Sequence, residues 1–207
     1  KNSLLMVSAN YWDDRYRNRE TGWDIGYASP PLTHYIDQLT NRSIRILIPG
    51  CGNAYEAEYL LRNGFTNVTV IDIAHTLTAK LARELKPWND RELRILTGDF
   101  FTLQGEFDLI LEQTFFCALD PSLRENYAAK MAELLAPGGK LVGVLFDHPF
   151  EGGPPFGGSK SEYGTIFANH FATLRLDPCY NSIAPRRGRE LFIRLSHPVK
   201  SLPTGSG

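Results

Sequence analysis

Apolar residues in this chain fall into short continuous runs, and the segments between the runs carry a helical period. The runs cover residues 45–49, 68–73, 93–97, 107–112 and 141–146. Predominantly apolar and bounded by turn formers, they predict strands buried on both faces of a parallel sheet. Helices are predicted over 30–38, 54–63, 76–85, 121–135 and 163–170. Pro30-Pro31 opens the first, Gly64 closes the second and Pro87 halts the third. In the fourth, Ala128, Met131, Leu134 and Leu135 fall at helical spacing. Residues 171–180 and 190–196 read as two closing strands, an antiparallel pair. Strands alternating with helices predict an α/β fold, a mostly parallel sheet with helices on both faces. Residues 11–31 are aromatic and charged without a clear period. Pro137-Gly138-Gly139 reads as a turn, and Gly152-Gly153-Pro154-Pro155-Phe156 as irregular loop.

Composition narrows the function classes. A chain of 207 residues suits one domain with a real core. The net charge of −1 leaves no electrostatic footprint for nucleic acid or an anionic membrane surface. A local basic cluster, Arg186-Arg187-Gly188-Arg189, reads as a solvated loop or an anion contact. No run reaches the roughly 20 apolar residues of a membrane span. Cys51, Cys117 and Cys179 are too scattered for a disulfide framework or a zinc site. Reduced thiols in the cytoplasm are expected, in a monomer acting on a small molecule. Residues 202–207 are expected to form a disordered tail.

The first apolar run ends in Gly50-Cys51-Gly52-Asn53-Ala54-Tyr55, and the second ends near Asp72. Strand, glycine turn, helix and a second strand ending in an acid bring a bare backbone turn and a carboxylate to one sheet edge. A nucleoside fits there, its ribose diol on Asp72 and its other end over Gly50 and Gly52. Asp72 also suits capping the next helix. Dinucleotide sites use Gly-x-Gly-x-x-Gly, and Tyr55 holds the third glycine's position. A diphosphate is thereby disfavoured, though an NAD-dependent oxidoreductase stays open as an alternative. Asp99-Phe100 follows the third run and offers a carboxylate and an aromatic face for adenine. Glu112-Gln113 ends the fourth run and completes a ring of strand ends around one crevice.

These residues resemble the class I S-adenosylmethionine-dependent methyltransferases, and more narrowly the thiopurine S-methyltransferase superfamily with its thiol/halide branch. Four marks carry the likeness: Trp12-x-x-x-Tyr16 with Trp23-Asp24-x-Gly26; Ile48-Pro49-Gly50-Cys51-Gly52; Phe115-Phe116-Cys117-Ala118-Leu119; and Gly152-Gly153-Pro154-Pro155-Phe156. The resemblance implies a Rossmann-like seven-stranded sheet with an antiparallel last strand, and residues 1–43 as a segment covering the cofactor. It implies S-adenosylmethionine held by Trp12, Tyr16, Trp23, Gly50, Gly52, Asp72, Asp99, Phe100 and Gln113. Tyr16 stands where the family usually has Trp, and Gln113 where the thiol/halide branch often has Tyr. Aromatic faces attract a sulfonium cation by about 0.5–2 kcal/mol each.

The implied reaction is in-line methyl transfer to a thiol, a thiopurine-like thiol, thiocyanate or a halide. Such nucleophiles need alignment and desolvation rather than a strong base. The sequence lacks the Asn-Pro-Pro-Tyr signature of amide methylation. Another small acceptor, such as a selenium or tellurium species, is the neighbouring alternative. Phe115, Phe116 and Phe156 are candidates for the acceptor pocket, Arg187 for an anionic group and His148 for a catalytic base.

Overall fold

Seven strands assemble into one sheet: β1 (Ile46–Pro49), β2 (Val68–Asp72), β3 (Leu93–Thr97), β4 (Phe107–Gln113), β5 (Leu135–Phe146), β6 (Phe171–Pro178) and β7 (Glu190–Pro198). Their order is β3-β2-β1-β4-β5-β7-β6. Pairings among β1 to β5 are parallel, and β7 lies antiparallel between β5 and β6. The computed structural model describes residues 8–200; the expected tail at 202–207 lies outside the described residues. The six helices are α1 (Ala9–Asn18), α2 (Pro30–Asp37), α3 (Tyr55–Arg62), α4 (His75–Glu84), α5 (Arg124–Leu134) and α6 (Lys160–Ala168). No helix among the described residues is long and apolar enough to cross a membrane.

The strands are apolar because both faces are covered. Every residue of β1 and β2 is buried. On one face Leu32, Ile36, Leu60, Leu77 and Leu81 of α2, α3 and α4 pack on Ile46, Ile48 and Val70. On the other, Tyr127, Met131 and Phe167 of α5 and α6 pack on Ile110, Leu141 and Ile193. The order reverses between β1 and β4, so their carboxyl ends open a crevice, the place where such sheets bind ligands.

Several boundaries differ from the sequence expectation. α1 overlaps the segment without clear period and starts two residues before it. Of its residues only Asp13 is buried, and Trp12 and Tyr16 meet the core half-buried, so only a thin apolar stripe marks it. Pro121–Leu123 forms a 3-10 turn capped by Asp120, and α5 starts after it at Arg124. Pro137-Gly138-Gly139 is not a turn ahead of β5. It is an irregularity within the strand, where pairing jumps from Phe107↔Leu135 to Leu109↔Lys140. α6 starts at Lys160, three residues earlier than predicted, because the Ser159 hydroxyl accepts the Glu162 N–H at 3.2 Å.

Candidate functional site

The crevice floor is the turn after β1. Gly50 (φ +56°), Gly52 (φ +53°) and Ala54 (φ +56°) are left-handed, which curls the chain tightly into α3. A Cβ on Gly50 would overlap the Phe115 ring, and one on Gly52 would lie 3.4 Å from the Tyr16 hydroxyl. Gly50 is therefore needed for both conformation and space, and Gly52 for conformation.

Asp72 ends β2 beside this turn. One carboxylate oxygen accepts the Gly52 N–H at 3.3 Å and the other the Ala74 N–H at 3.0 Å. It thus ties the glycine turn to the start of α4 while lining the cavity. Burial pushes its carboxyl up to about 6, against the lowering effect of those N–H groups. Past β3, Asp99 accepts the Phe101 N–H at 2.8 Å and caps a 3-10 turn. That turn sets Phe100 edge-on to Phe115 at 5.2 Å.

The N-terminal segment covers this floor. Trp12 and Tyr16 each meet Trp23 edge-to-face, with ring centroids at 5.4 and 5.8 Å. Three polar ties hold the cover down. Asp13 accepts the Thr76 N–H at 2.8 Å, an acid at the positive end of α4. Asp24 accepts from Tyr55 Oη at 3.1 Å and from Asn53 Nδ2, and Lys80 donates to Asn53 at 2.8 Å. Arg186 Nη2 donates to the Trp23 carbonyl at 3.0 Å, joining the cover to the loop before β7.

The opposite wall comes from the turn after β4 and the Gly/Pro loop. Glu112 is fully buried and accepts the Phe115 N–H (2.9 Å), the Phe116 N–H (3.0 Å) and the Tyr127 hydroxyl (2.6 Å). Desolvation pushes its carboxyl up to about 7. These bonds turn the chain so that Thr114, Phe115, Ala118 and Leu119 face the cavity, with Pro154, Pro155 and Arg186 opposite.

Trp12, Tyr16, Trp23, Gly50, Gly52, Asp72, Asp99, Phe100 and Gln113 all lie in one cavity wall, and Phe115 joins them. The other acceptor-side candidates do not. Phe116 is buried in the core against Tyr127, Tyr163 and Phe167. Phe156 packs on Gly153 and donates its N–H to the Cys117 carbonyl at 2.7 Å. Arg187 is exposed, and its neighbour Arg186 reaches the wall instead. His148 bridges to Gly158 and stacks edge-on to Phe150 at 5.1 Å, outside the wall. Glu112, Asp24 and Arg186 stand in patterns that the sequence offers: the fourth strand end, the Trp23-Asp24-x-Gly26 mark and the arginine run. The roles they take here, as acceptors of turn N–H groups and as ties of the cover, are not marked by those patterns.

The residues present fit S-adenosylmethionine. Within one cavity the Asp72 carboxylate could accept from a ribose diol, Asp99 and Phe100 could take an aminopurine, and Trp12, Tyr16 and Trp23 could face a cation. A dinucleotide fits poorly: the N-terminus of α3, where its diphosphate would sit, is taken by Tyr55 and the Asp24 carboxylate.

Comparison with known proteins agrees. The family model for thiopurine S-methyltransferase matches residues 7–192. A probable thiol methyltransferase 2 of Arabidopsis thaliana is 31% identical over 190 residues, covering 88% of this chain and 83% of that protein. Thiocyanate methyltransferase 1 of Brassica oleracea is 30% identical over 191 residues, covering 89% and 83%. In fold the chain resembles the Burkholderia thailandensis 1,6-didemethyltoxoflavin-N1-methyltransferase, solved with S-adenosylhomocysteine. The TM-score is 0.69 at 20% identity, covering 93% of this chain and 87% of the other. This chain belongs to the thiopurine S-methyltransferase family of S-adenosylmethionine-dependent methyltransferases.

Proposed function

We propose that this enzyme methylates a small, soft, anionic nucleophile: a thiolate, thiocyanate or a halide. The observation that carries this reading is the acceptor half of the cavity. It is built of Thr114, Phe115, Ala118, Leu119, Leu123, Pro154 and Pro155 with the Arg186 guanidinium; the cavity's other arginine, Arg15, lies over the Tyr11 ring of the cover. Asp120, the carboxylate of that half among the described residues, accepts from the Ser122 N–H (2.9 Å) and hydroxyl (2.7 Å). Those bonds hold it below the ordinary carboxylate range, the reverse of what a general base requires. An apolar pocket with one cation suits an anion that arrives already nucleophilic.

S-adenosylmethionine, when bound, supplies the electrophilic methyl group. The chain's own residues do the rest by positioning. Asp72 and Asp99 fix the nucleoside end, and the glycine turn allows close backbone approach. Trp12, Tyr16 and Trp23 cover the cation and exclude water. Arg186 attracts the incoming anion, and the apolar wall strips its hydration, which raises the reactivity of a soft nucleophile. A thiol with a pKa of about 8.5 is partly ionised at neutral pH without help.

We read the described part of the 1–43 segment, residues 8–43, as the cofactor cover of a single domain; residues 1–7 lie outside the described residues. We read the protein as a cytoplasmic monomer with no nucleic-acid or membrane partner. Its three cysteines are free and buried and its charge is balanced. The test is steady-state turnover on matched acceptors: iodide, thiocyanate, hydrosulfide and aryl thiols against phenols and amines. Turnover confined to the soft set supports the reading, and faster methylation of an amine or alcohol overturns it.

A further inference from the structure

Gln113 stands at the junction of two spaces. It lines the main cavity, and it also walls a side cavity of about 10 Å³ shared with Glu112, Thr114, Cys117, Val144, Phe146 and Glu190. That volume holds about one water. The sheet register explains the meeting. Gln113 pairs with Val144, and Phe146, two residues on, pairs with Glu190. Residues two apart share a face, so Gln113 and Glu190 project from the same side of the sheet.

The amide oxygen Oε1 of Gln113 is sealed from solvent and has no hydrogen-bond partner among the described residues. A buried acceptor in that state calls for a donor. Two polar neighbours in the side cavity are already committed. Glu112 accepts three hydrogen bonds, and the Thr114 hydroxyl donates to the Gln113 main-chain carbonyl at 2.8 Å. Glu190 is buried at 7% exposure. Burial raises its carboxyl, with Ser182 and Arg186 pulling the other way, so it holds its proton longer than an ordinary carboxylate. A protonated carboxyl donates an O–H.

We propose that Gln113 determines acceptor specificity: its amide N–H is turned toward an anionic nucleophile while Glu190, from across the side cavity, donates to its carbonyl oxygen. Glu190 is then a positioning residue. When it ionises it becomes an acceptor, draws the amide N–H to itself and leaves the carbonyl dipole facing the anion. The inference rests on the soft-anion reading above.

The test uses the whole enzyme at saturating S-adenosylmethionine with iodide, whose charge does not change with pH. Gln113→Leu is expected to raise the iodide KM at least tenfold, and by more than it raises the S-adenosylhomocysteine Kd. Gln113→Met serves if the leucine variant does not fold. In the parent, the iodide KM is expected to rise with pH as Glu190 ionises. Glu190→Gln, which keeps a donor, abolishes that rise, and Glu190→Ala raises KM at all pH values. Glu112, Cys117, Cys179, Arg186 and Ser182 surround these groups, and Asp72 shares the main cavity with Gln113; all are unchanged in the Glu190 variants, so the difference between parent and variant isolates Glu190. An unchanged iodide KM in the Gln113 variants overturns the inference, as does the same pH rise in Glu190→Gln. Lost cofactor affinity with an unchanged acceptor KM returns Gln113 to the cofactor side and also overturns it. A parent enzyme that methylates neither iodide, thiocyanate nor any thiol overturns the functional reading, and this inference with it.

Discussion

Asp72→Asn is expected to stabilise the free protein and weaken it as a cofactor binder. The folded protein raises this carboxyl from 3.8 to about 6, which corresponds to about 3 kcal/mol against the ionised form. The sign follows from linkage. Below pH of about 4 the group is neutral in both folded and unfolded chains, and no cost exists. Between about 4 and 6 the unfolded chain ionises first, so stability falls as pH rises, and above about 6 the whole cost is present. Asparagine removes that cost but offers one acceptor where Asp72 offers two, to the Gly52 and Ala74 N–H groups. The lost bond costs about 1 kcal/mol. The net expectation is a gain of about 2 kcal/mol at pH 7.5 and none at pH 4.5. At neutral pH this is a Tm increase of about 4–8 °C. The same substitution removes a charged acceptor from the ribose site, worth about 1.5–3 kcal/mol, or about 10- to 150-fold in S-adenosylhomocysteine Kd. Urea unfolding at the two pH values and calorimetric titration measure both effects. Equal stability at both pH values, or unchanged affinity, refutes the reasoning.

Three further outcomes follow from the same geometry. S-adenosylhomocysteine affinity of the parent protein should fall below pH of about 6, by up to tenfold per pH unit as Asp72 takes a proton; calorimetry in Asp72→Asn should show a flat profile. Gly50→Ala places a side chain at φ +56° and against Phe115, so a loss of at least about 2 kcal/mol is expected from strain and overlap. A Tm within 1 °C of the parent, to order of magnitude below that loss, would contradict it. Arg186→Gln breaks the tie to the Trp23 carbonyl, worth about 1.5–3 kcal/mol as a hydrogen bond from a charged group. Faster amide exchange across residues 9–26 and an acceptor KM raised about tenfold are expected; unchanged exchange speaks against the tie.

The α/β architecture was legible because buried parallel strands must be continuous apolar runs, and Ile46 to Ile48 and Val68 to Ile71 have no polar face to hide. The floor of the site was legible for a related reason. A positive-φ glycine turn followed by an acid at the next strand end is a local pattern, and the sheet brings the two together automatically. The cover was not. In α1 the aromatic side chains Tyr11, Trp12 and Tyr16 line a ligand cavity, and Trp12 and Tyr16 meet the core only as half-buried rings, so the run of fully buried positions that announces a helix is missing. The acceptor half was the least legible. Phe115 faces the cavity and Phe116 the core within a turn held by Glu112, a core carboxylate that gathers both of their N–H groups. Whether Arg186 or Arg187 reaches the wall is decided by a main-chain carbonyl 163 residues away, at Trp23. Neither contact leaves a trace in local sequence.

The account's central claim is a methyl passed directly from S-adenosylmethionine to a soft anion without a protein base. A single-turnover experiment with methyl-labelled S-adenosylmethionine and thiocyanate tests it most directly. The account predicts one labelled methyl thiocyanate per S-adenosylhomocysteine formed, at a rate independent of pH above about 7, where Asp72 is ionised. Label that stays on the cofactor, or that moves only to an amine or alcohol acceptor in the same mixture, would contradict it.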